Sequence, residues 1–310
     1  MKRVQYHQYG GPETMRLEDF ELEEPGKGQV AVKVEFAAIN PIDWKLRKGL
    51  MKIVTGNAFP RAMGMDFSGT VISVGPGVTR FKPGDAVFGM ARLKQGGAFG
   101  NAVITDETFM ARKPDAISFE DAACLATPSV TAWTGLVDKA RLKAGQHVFV
   151  NGCTGAVGEA TVQVARMLGA TVSGSCSAGA MQRARALGLQ KIYDYRATDF
   201  SRLGERFDIV YDTAAMMPTS MGLSLLRENG VLLDLEPTPA KFLRSFVTRK
   251  LKLVICSARA EILDRVALSA GEGRLRLPVG EIAPLSQGIR LVAELEAGKK
   301  IGGKGLIAME

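Results

Sequence analysis

The stretch HVFVNGCTGAVG, residues 147–158, decides the fold. Its first half, HVFVN, is a short apolar run of strand length. Its second half sets Gly152 and Gly155 directly before AVGEATVQVARMLG, which has helical periodicity and carries Gly158 in its first turn. Small residues between a buried strand and a helix let backbone N–H groups approach a pyrophosphate, and the helix N-terminus supplies positive charge. A glycine string alone could equally be a tight strand-to-helix turn. What favours a phosphate loop is the repetition that follows. TVSGSCS (171–177), KIYDYR (191–196), FDIVYDTAA (207–215), GVLLDL (230–235) and KLVICSA (252–258) read as strands alternating with helical segments such as GAMQRARALG. This alternation predicts an α/β fold with a doubly wound parallel sheet.

Upstream the pattern changes. Residues 1–118 hold short β-type runs, QVAVKVEFAAI (29–39), FSGTVISVG (67–75), DAVFGM (85–90) and NAVITD (101–106), punctuated by Gly75-Pro76-Gly77 and Lys82-Pro83-Gly84-Asp85. A compact, barrel-like β domain is expected there. Residues 119–274 then form the nucleotide-binding domain, beginning with a helix of small residues that Pro128 interrupts. Residues 275–310 add an amphipathic helix and a last short strand, GLIAME.

Composition excludes more than it includes. The 310 residues contain only two histidines, His7 and His147, so multi-histidine metal sites and paired histidine relays are ruled out. Cys124, Cys153, Cys176 and Cys256 form no C-x-x-C pair, which argues for free thiols in a reducing, cytoplasmic setting. No apolar run reaches membrane-spanning length, and the N-terminus lacks a secretory pattern. Forty Lys and Arg against 32 Asp and Glu give a net charge of +8. The basic residues are scattered except in RSFVTRKLK (244–252), and no aromatic-rich groove accompanies them, which argues against nucleic acid as the partner. No G-x-S-x-G elbow supports a hydrolase.

The cofactor follows from an absence. An NAD site carries Asp or Glu at the end of the strand after the glycine loop, where it binds the ribose 2′-hydroxyl. Here that strand ends Gly174-Ser175-Cys176-Ser177-Ala178, and the next acid is Asp194. Ser175 and Ser177 offer hydroxyls, and Arg183 follows on the next helix. This set favours a 2′-phosphate, hence NADPH.

Several motifs in order, YGGPE (9–13), AINPIDWKLRKG (38–49), GMDFSGTV (64–71), FKPGDAVFG (81–89), SVTAWTGL (129–136), NGCTGAVG, IYDYR and FDIVYDTA, resemble the zinc-free branch of the medium-chain dehydrogenase/reductases, the quinone oxidoreductase and enone reductase group. The resemblance implies a GroES-like barrel completed by the C-terminal tail, a Rossmann domain and a cofactor cleft between them. It also implies a homodimer formed through KLVICSA as an edge strand. In zinc-dependent relatives a Cys and a His stand where this chain has Asn40 and Met65, so no metal is expected. Without a Lewis acid, alcohol oxidation is disfavoured, whereas the β-carbon of an α,β-unsaturated carbonyl, or a quinone, can accept hydride directly.

On this resemblance Asn40, Asp43, Trp44 and Lys45 are placed at the substrate, with Asn40 donating to a developing enolate and Trp44 as an apolar wall. Asp66 reads as a structural partner. Loops 47–62 and 91–98 are expected to form the pocket walls. Thr131 is placed near the nicotinamide ribose, and Gly152, Thr154, Gly155, Ala156, Val157 and Gly158 at the pyrophosphate. Ser175, Ser177, Arg183 and Tyr195 are placed at the adenosine 2′-phosphate. Two other readings stand beside this one: a cofactor-binding protein with a crystallin-like or RNA-associated role, and an enoyl reductase acting on a carrier-linked chain.

Overall fold

The structure, a computed structural model, describes residues 1–310 as two compact units, Met1–Thr127 with Ala258–Glu310, and Pro128–Ser257. The unit boundaries differ from the expected 118/119 and 274/275.

The first unit contains β1 (Lys2–Tyr6), β2 (Met15–Asp19), β3 (Gln29–Ala38), β4 (Arg61–Ala62), β5 (Asp66–Val74), β6 (Ala86–Met90), β7 (Ala102–Asp106) and β8 (Met110–Arg112). Its helices up to residue 127 are α1 (Pro41–Arg47), α2 (Lys52–Thr55) and α3 (Phe119–Ala123), and α4 (Ala126–Trp133) starts here. The helix of small residues is interrupted, as expected: α3 ends at Ala123, and Pro128 sits in the first turn of α4, where a missing N–H costs nothing. The small residues of α3 pack against β3 and β5, which is why this segment belongs to the first unit.

The second unit holds β9 (His147–Asn151), α5 (Ala156–Met167), β10 (Thr171–Cys176), α6 (Met181–Ala186), β11 (Lys191–Asp194), β12 (Phe207–Asp212), α7 (Thr219–Ser224), β13 (Leu226–Asp234), α8 (Pro239–Val247) and β14 (Leu251–Leu253). Its six strands run parallel in the order β11-β10-β9-β12-β13-β14, the doubly wound sheet expected from the alternation. Phe149, Phe207, Val210, Leu232 and Leu251 fill the core on one side of it. The strand read at KLVICSA is shorter than expected, because only Leu251–Leu253 pairs with β13.

The chain then returns to the first unit with α9 (Ala260–Gly271), β15 (Val279–Pro284), α10 (Gly288–Glu296) and β16 (Lys304–Ala308). The packing of α9 on β8 moves the return point ahead of residue 275. Strand β16 pairs antiparallel with β3, which puts Leu306 opposite Ala38. The C-terminal tail therefore completes the seven-stranded sheet β15-β16-β3-β5-β6-β8, with β7 also on β3.

No helix is long and apolar enough to cross a membrane. His147, at the start of β9, is buried, faces Ser173 Oγ at 2.9 Å and packs edge-on against Phe207, a structural role.

Candidate active site

In the second unit the glycine turn is held by contacts that only glycine permits at two positions. Gly152 has φ of 80°, in the left-handed region. A Cβ on Gly158 would lie 2.1 Å from the Gly152 carbonyl oxygen, so this residue sets how closely α5 approaches β9. Gly155 differs. It caps α5 with an ordinary φ of −78°, and a Cβ there would meet only the Gly152 oxygen, at 3.4 Å. The fold does not need glycine at 155, and the space a Cβ would fill is open. The first helical bond runs from Glu159 N to Gly155 O at 2.8 Å, so Ala156, Val157 and Gly158 open the helix with amides that have no i−4 carbonyl. This cradle fits a pyrophosphate.

Around it the structure assigns tasks that the sequence did not reveal. Ser175 is fully buried and donates to Asn151 Oδ1 at 2.6 Å, while Asn151 Nδ2 donates to Asp212 Oδ1 at 2.7 Å. Ser175 thus braces the carboxyl ends of β9, β10 and β12 rather than presenting a hydroxyl to a ligand. Arg183 donates to the Thr154 carbonyl and pairs with Glu159 at 2.7 Å, so its guanidinium ties α6 to the glycine loop and α5. Burial raises the Glu159 carboxyl to about 7, against the pull of Arg183. Ser177 follows β10 half-buried. Tyr195 N donates to Cys176 O at 3.2 Å, and the exposed Tyr195 ring lies under the Arg196 guanidinium at 5.6 Å. Arg196, unmarked in the sequence reading, is the exposed cation beside Tyr195. Thr131 is buried within α4, and its carbonyl accepts from Tyr211 Oη at 2.9 Å.

In the first unit, Asn40 and Asp43 cap α1. Asp43 Oδ2 accepts from Asn40 N at 2.7 Å, satisfying an orphan amide. The Asn40 side chain turns inward. Its Nδ2 donates to Ala38 O at 3.2 Å and to Asp66 Oδ2 at 3.0 Å, and its Oδ1 accepts from Lys304 Nζ at 2.5 Å. Lys304 also donates to Ile39 O at 2.7 Å. Asp66 accepts from both the backbone N and the hydroxyl of Thr127, at 3.0 and 2.5 Å. All of these side chains except that of Thr127 are less than 5% exposed.

Two carboxyls and one amine buried together do not all keep their ordinary charge. Burial is the largest influence on each of the three. It raises Asp43 to about 8, helped by Asp66 and opposed by the Asn40 amide, Lys304 and the Met65 amide. It raises Asp66 against the pull of Lys304 and Thr127, and it lowers Lys304 against the pull of the same acids. Asp43, at about 8, is drawn toward its neutral form at neutral pH, while Asp66 accepts three hydrogen bonds and Lys304 donates two, contacts that favour their charged forms against burial.

Asp43 Oδ1 is buried without a hydrogen-bond partner. Asp43 also lines a small pocket of about 10 Å³, beside Tyr6, Thr55, Arg61, Met65 and Lys94. Arg61 closes it, donating to Thr55 O, Gly56 O and Lys94 O at 2.7 to 3.1 Å. Half of its lining, Thr55, Arg61, Ala62, Leu93, Lys94 and Gly96, comes from the two loops expected to form the pocket walls, and the rest from Tyr6, α1 and residues 63–65. Of the four residues placed at the substrate, only Asp43 lines this cavity. Asn40 is spent on Asp66 and Lys304, so it is not the donor expected for an enolate. Trp44 packs against the core of the sheet, and Lys45 is half-buried on α1. Lys304 was missed, since nothing in GGKGLIAME distinguishes it from a surface lysine.

The fold is that of a two-unit α/β protein with a GroES-like unit and a Rossmann-like parallel sheet. Residues 26–115 match the alcohol dehydrogenase GroES-like domain, and residues 187–304 match the zinc-binding dehydrogenase domain. The quinone-oxidoreductase homolog of spinach chloroplasts is 27% identical over 304 residues, covering 93% of this chain and 92% of the relative. The tomato 2-methylene-furan-3-one reductase is 32% identical over 253 residues, 78% of this chain and 64% of that one. The quinone oxidoreductase structure from Coxiella burnetii superposes with a TM-score of 0.90 at 28% identity, covering 100% of this chain and 99% of the other. The chain belongs to the medium-chain dehydrogenase/reductase superfamily and is an oxidoreductase of that type.

Zinc does not fit the residues present. No three His, Cys, Asp or Glu side chains converge as a ligand set. At the Asn40 and Met65 positions the one amide oxygen already accepts from an ammonium group, which repels a cation.

Proposed function

We propose that this protein is an NADPH-dependent, zinc-independent reductase that accepts quinones or the activated C=C of α,β-unsaturated carbonyls. The observation that carries this reading is the buried Asp43 Oδ1, without a hydrogen-bond partner and on a carboxyl that burial pushes toward its neutral form, on the wall of a small pocket whose neighbouring polar cluster is built around Lys304. Without a metal to polarise a carbonyl, the developing oxyanion needs a hydrogen-bond donor, and a neutral carboxyl supplies one. The tomato relative's name supports the enone class, since a 2-methylene-furan-3-one is a carbonyl conjugated to an exocyclic double bond.

The cradle at Gly152, Gly155, Ala156, Val157 and Gly158 would hold the pyrophosphate, and Ser177, Tyr195 and Arg196 would take the adenosine 2′-phosphate. Thr154, Ser175 and Arg183 keep that loop in shape, and Thr131 is assigned to the ribose. The nicotinamide supplies hydride when bound. Asp43 donates its hydrogen bond to the substrate oxygen, Arg61 keeps the two cavity loops closed against water, and solvent protonates the α-carbon. Lys304 and Asp66 hold Asn40, and through it the α1 N-terminus that carries Asp43.

The unpaired edge of β14 supports a homodimer. Three buried free thiols support a reducing, cytoplasmic location. The decisive experiment follows nicotinamide absorbance with enones, quinones and acyl thioesters, with and without a chelator. Oxidation of NADPH by enones or quinones, undiminished by the chelator, is expected. Cofactor binding without turnover of any acceptor would refute the reading, and activity confined to thioesters would move it to carrier-linked chains.

A further inference from the structure

Helix α8 is amphipathic, and it is the polar side that faces its own chain. Thr238 caps it, accepting from Lys241 N at 3.2 Å, and Pro239 opens it. Lys241, on the inner arc, is 17% exposed at its side chain and pairs with Asp234 at 2.8 Å and Glu236 at 3.2 Å. Ser245, one turn on, is half-buried and donates to Phe242 O. At 100° per residue, positions 242, 243, 246 and 247 fall on the opposite arc. There Phe242 is 53% exposed, Leu243 70%, Phe246 71% and Val247 83%, and α8 buries no residue. The two phenylalanine rings stack edge-on at 5.2 Å and form one apolar ridge. A soluble helix normally turns such an arc inward, so this one is built for a partner outside the chain.

The charge around the ridge says which partner. Arg244, beside the apolar arc, is exposed, as are Arg249 and Lys250 just beyond the helix. The acids nearest in sequence, Asp234 and Glu236, are both engaged by Lys241 on the inner side. A second copy laid ridge to ridge would bring like-charged clusters together, in a chain whose net charge is already +8. An anionic bilayer surface offers the reverse on both counts: apolar depth for Phe and Leu, and negative headgroups for Arg and Lys.

We propose that α8, with Arg249 and Lys250, is a docking surface for anionic lipid bilayers. The ridge enters the boundary between headgroups and acyl chains while the basic residues meet the headgroups. The sheet beneath stays intact because α8 contributes no buried apolar side chain to it. The basic run of residues 244–252 and part of the surplus charge thereby gain a function.

The test is flotation of the full-length protein with phosphatidylcholine vesicles, and with vesicles in which about a third of the lipid is phosphatidylserine. Binding to the mixed vesicles that falls with added salt, and little binding to phosphatidylcholine alone, is expected. The pair Phe242→Ser with Phe246→Ser, and the pair Arg249→Glu with Lys250→Glu, should each weaken it about tenfold or more while the thermal midpoint holds. No retention on anionic vesicles, or retention unchanged in both pairs, would overturn the proposal. A wild-type dimer that Phe242→Ser with Phe246→Ser converts to monomer in the absence of lipid would overturn it too, because a second copy would then cover the ridge.

Discussion

Lys304 Nζ lies 2.5 Å from Asn40 Oδ1, across 264 residues of sequence, and the contact joins the last strand of the chain to the cap of its first helix. One hydrogen bond thus links the return of the C-terminal tail to the orientation of the Asn40 amide. That orientation in turn aims Nδ2 at Asp66. The relationship makes the sheet and the polar cluster one cooperative object.

Replacing Lys304 by Met should therefore cost on the order of 3 kcal/mol, because Asn40 Oδ1 and Ile39 O lose their donor and Asp66 loses its nearby cation. Denaturant unfolding checks this. A loss below about 1 kcal/mol would show that the cluster relaxes without the ammonium.

Asp43 carries the pH dependence. Its folded-state value, about 8, lies above the ordinary 3.8, so between those limits the native state holds more protons than the unfolded one. The stability it contributes is complete below pH about 4 and is lost as pH rises toward 8. The isosteric Asp43→Asn, which keeps a donor on the cavity side, should flatten that decline in a series of melting curves and retain most reductase activity. Asp43→Ala, which removes the donor, should lower kcat about a hundredfold. Equal activity of the two variants would remove Asp43 from the reaction.

Gly155 and Gly158 separate ligand space from packing. Gly155→Ala should leave the melting temperature nearly unchanged, since its Cβ meets only one atom at 3.4 Å, while weakening NADPH binding about tenfold or more. Gly158→Ala should instead destabilise the protein, by about 1–3 kcal/mol, because its Cβ would sit 2.1 Å from a carbonyl oxygen. Fluorescence titration paired with thermal melting distinguishes the two.

Arg183 and Arg196 should part company in the same titration. Arg196→Ala is expected to weaken NADPH but not NADH, the signature of a lost 2′-phosphate contact. Arg183→Ala should weaken both cofactors together, because it releases the Thr154 carbonyl and Glu159 rather than a phosphate. An NADPH-selective loss in Arg183→Ala would reverse these assignments.

What the sequence by itself determined is local. The strand–glycine–helix unit at 147–158, the alternation behind it and the barrel-type strands before it follow from periodicity and turn chemistry, which act over a few residues. Asp43 could be marked because it shares a motif with Asn40. Tertiary structure alone decided the rest. It spent Asn40 on Asp66 and Lys304, turned Ser175 and Arg183 from ligand contacts into braces, and chose the side of α8 that packs inward. Side-chain partners separated by tens or hundreds of residues are set by which strands pair and which faces are buried. Amphipathic periodicity reveals that a helix has an apolar face, but only the packing reveals which way it points.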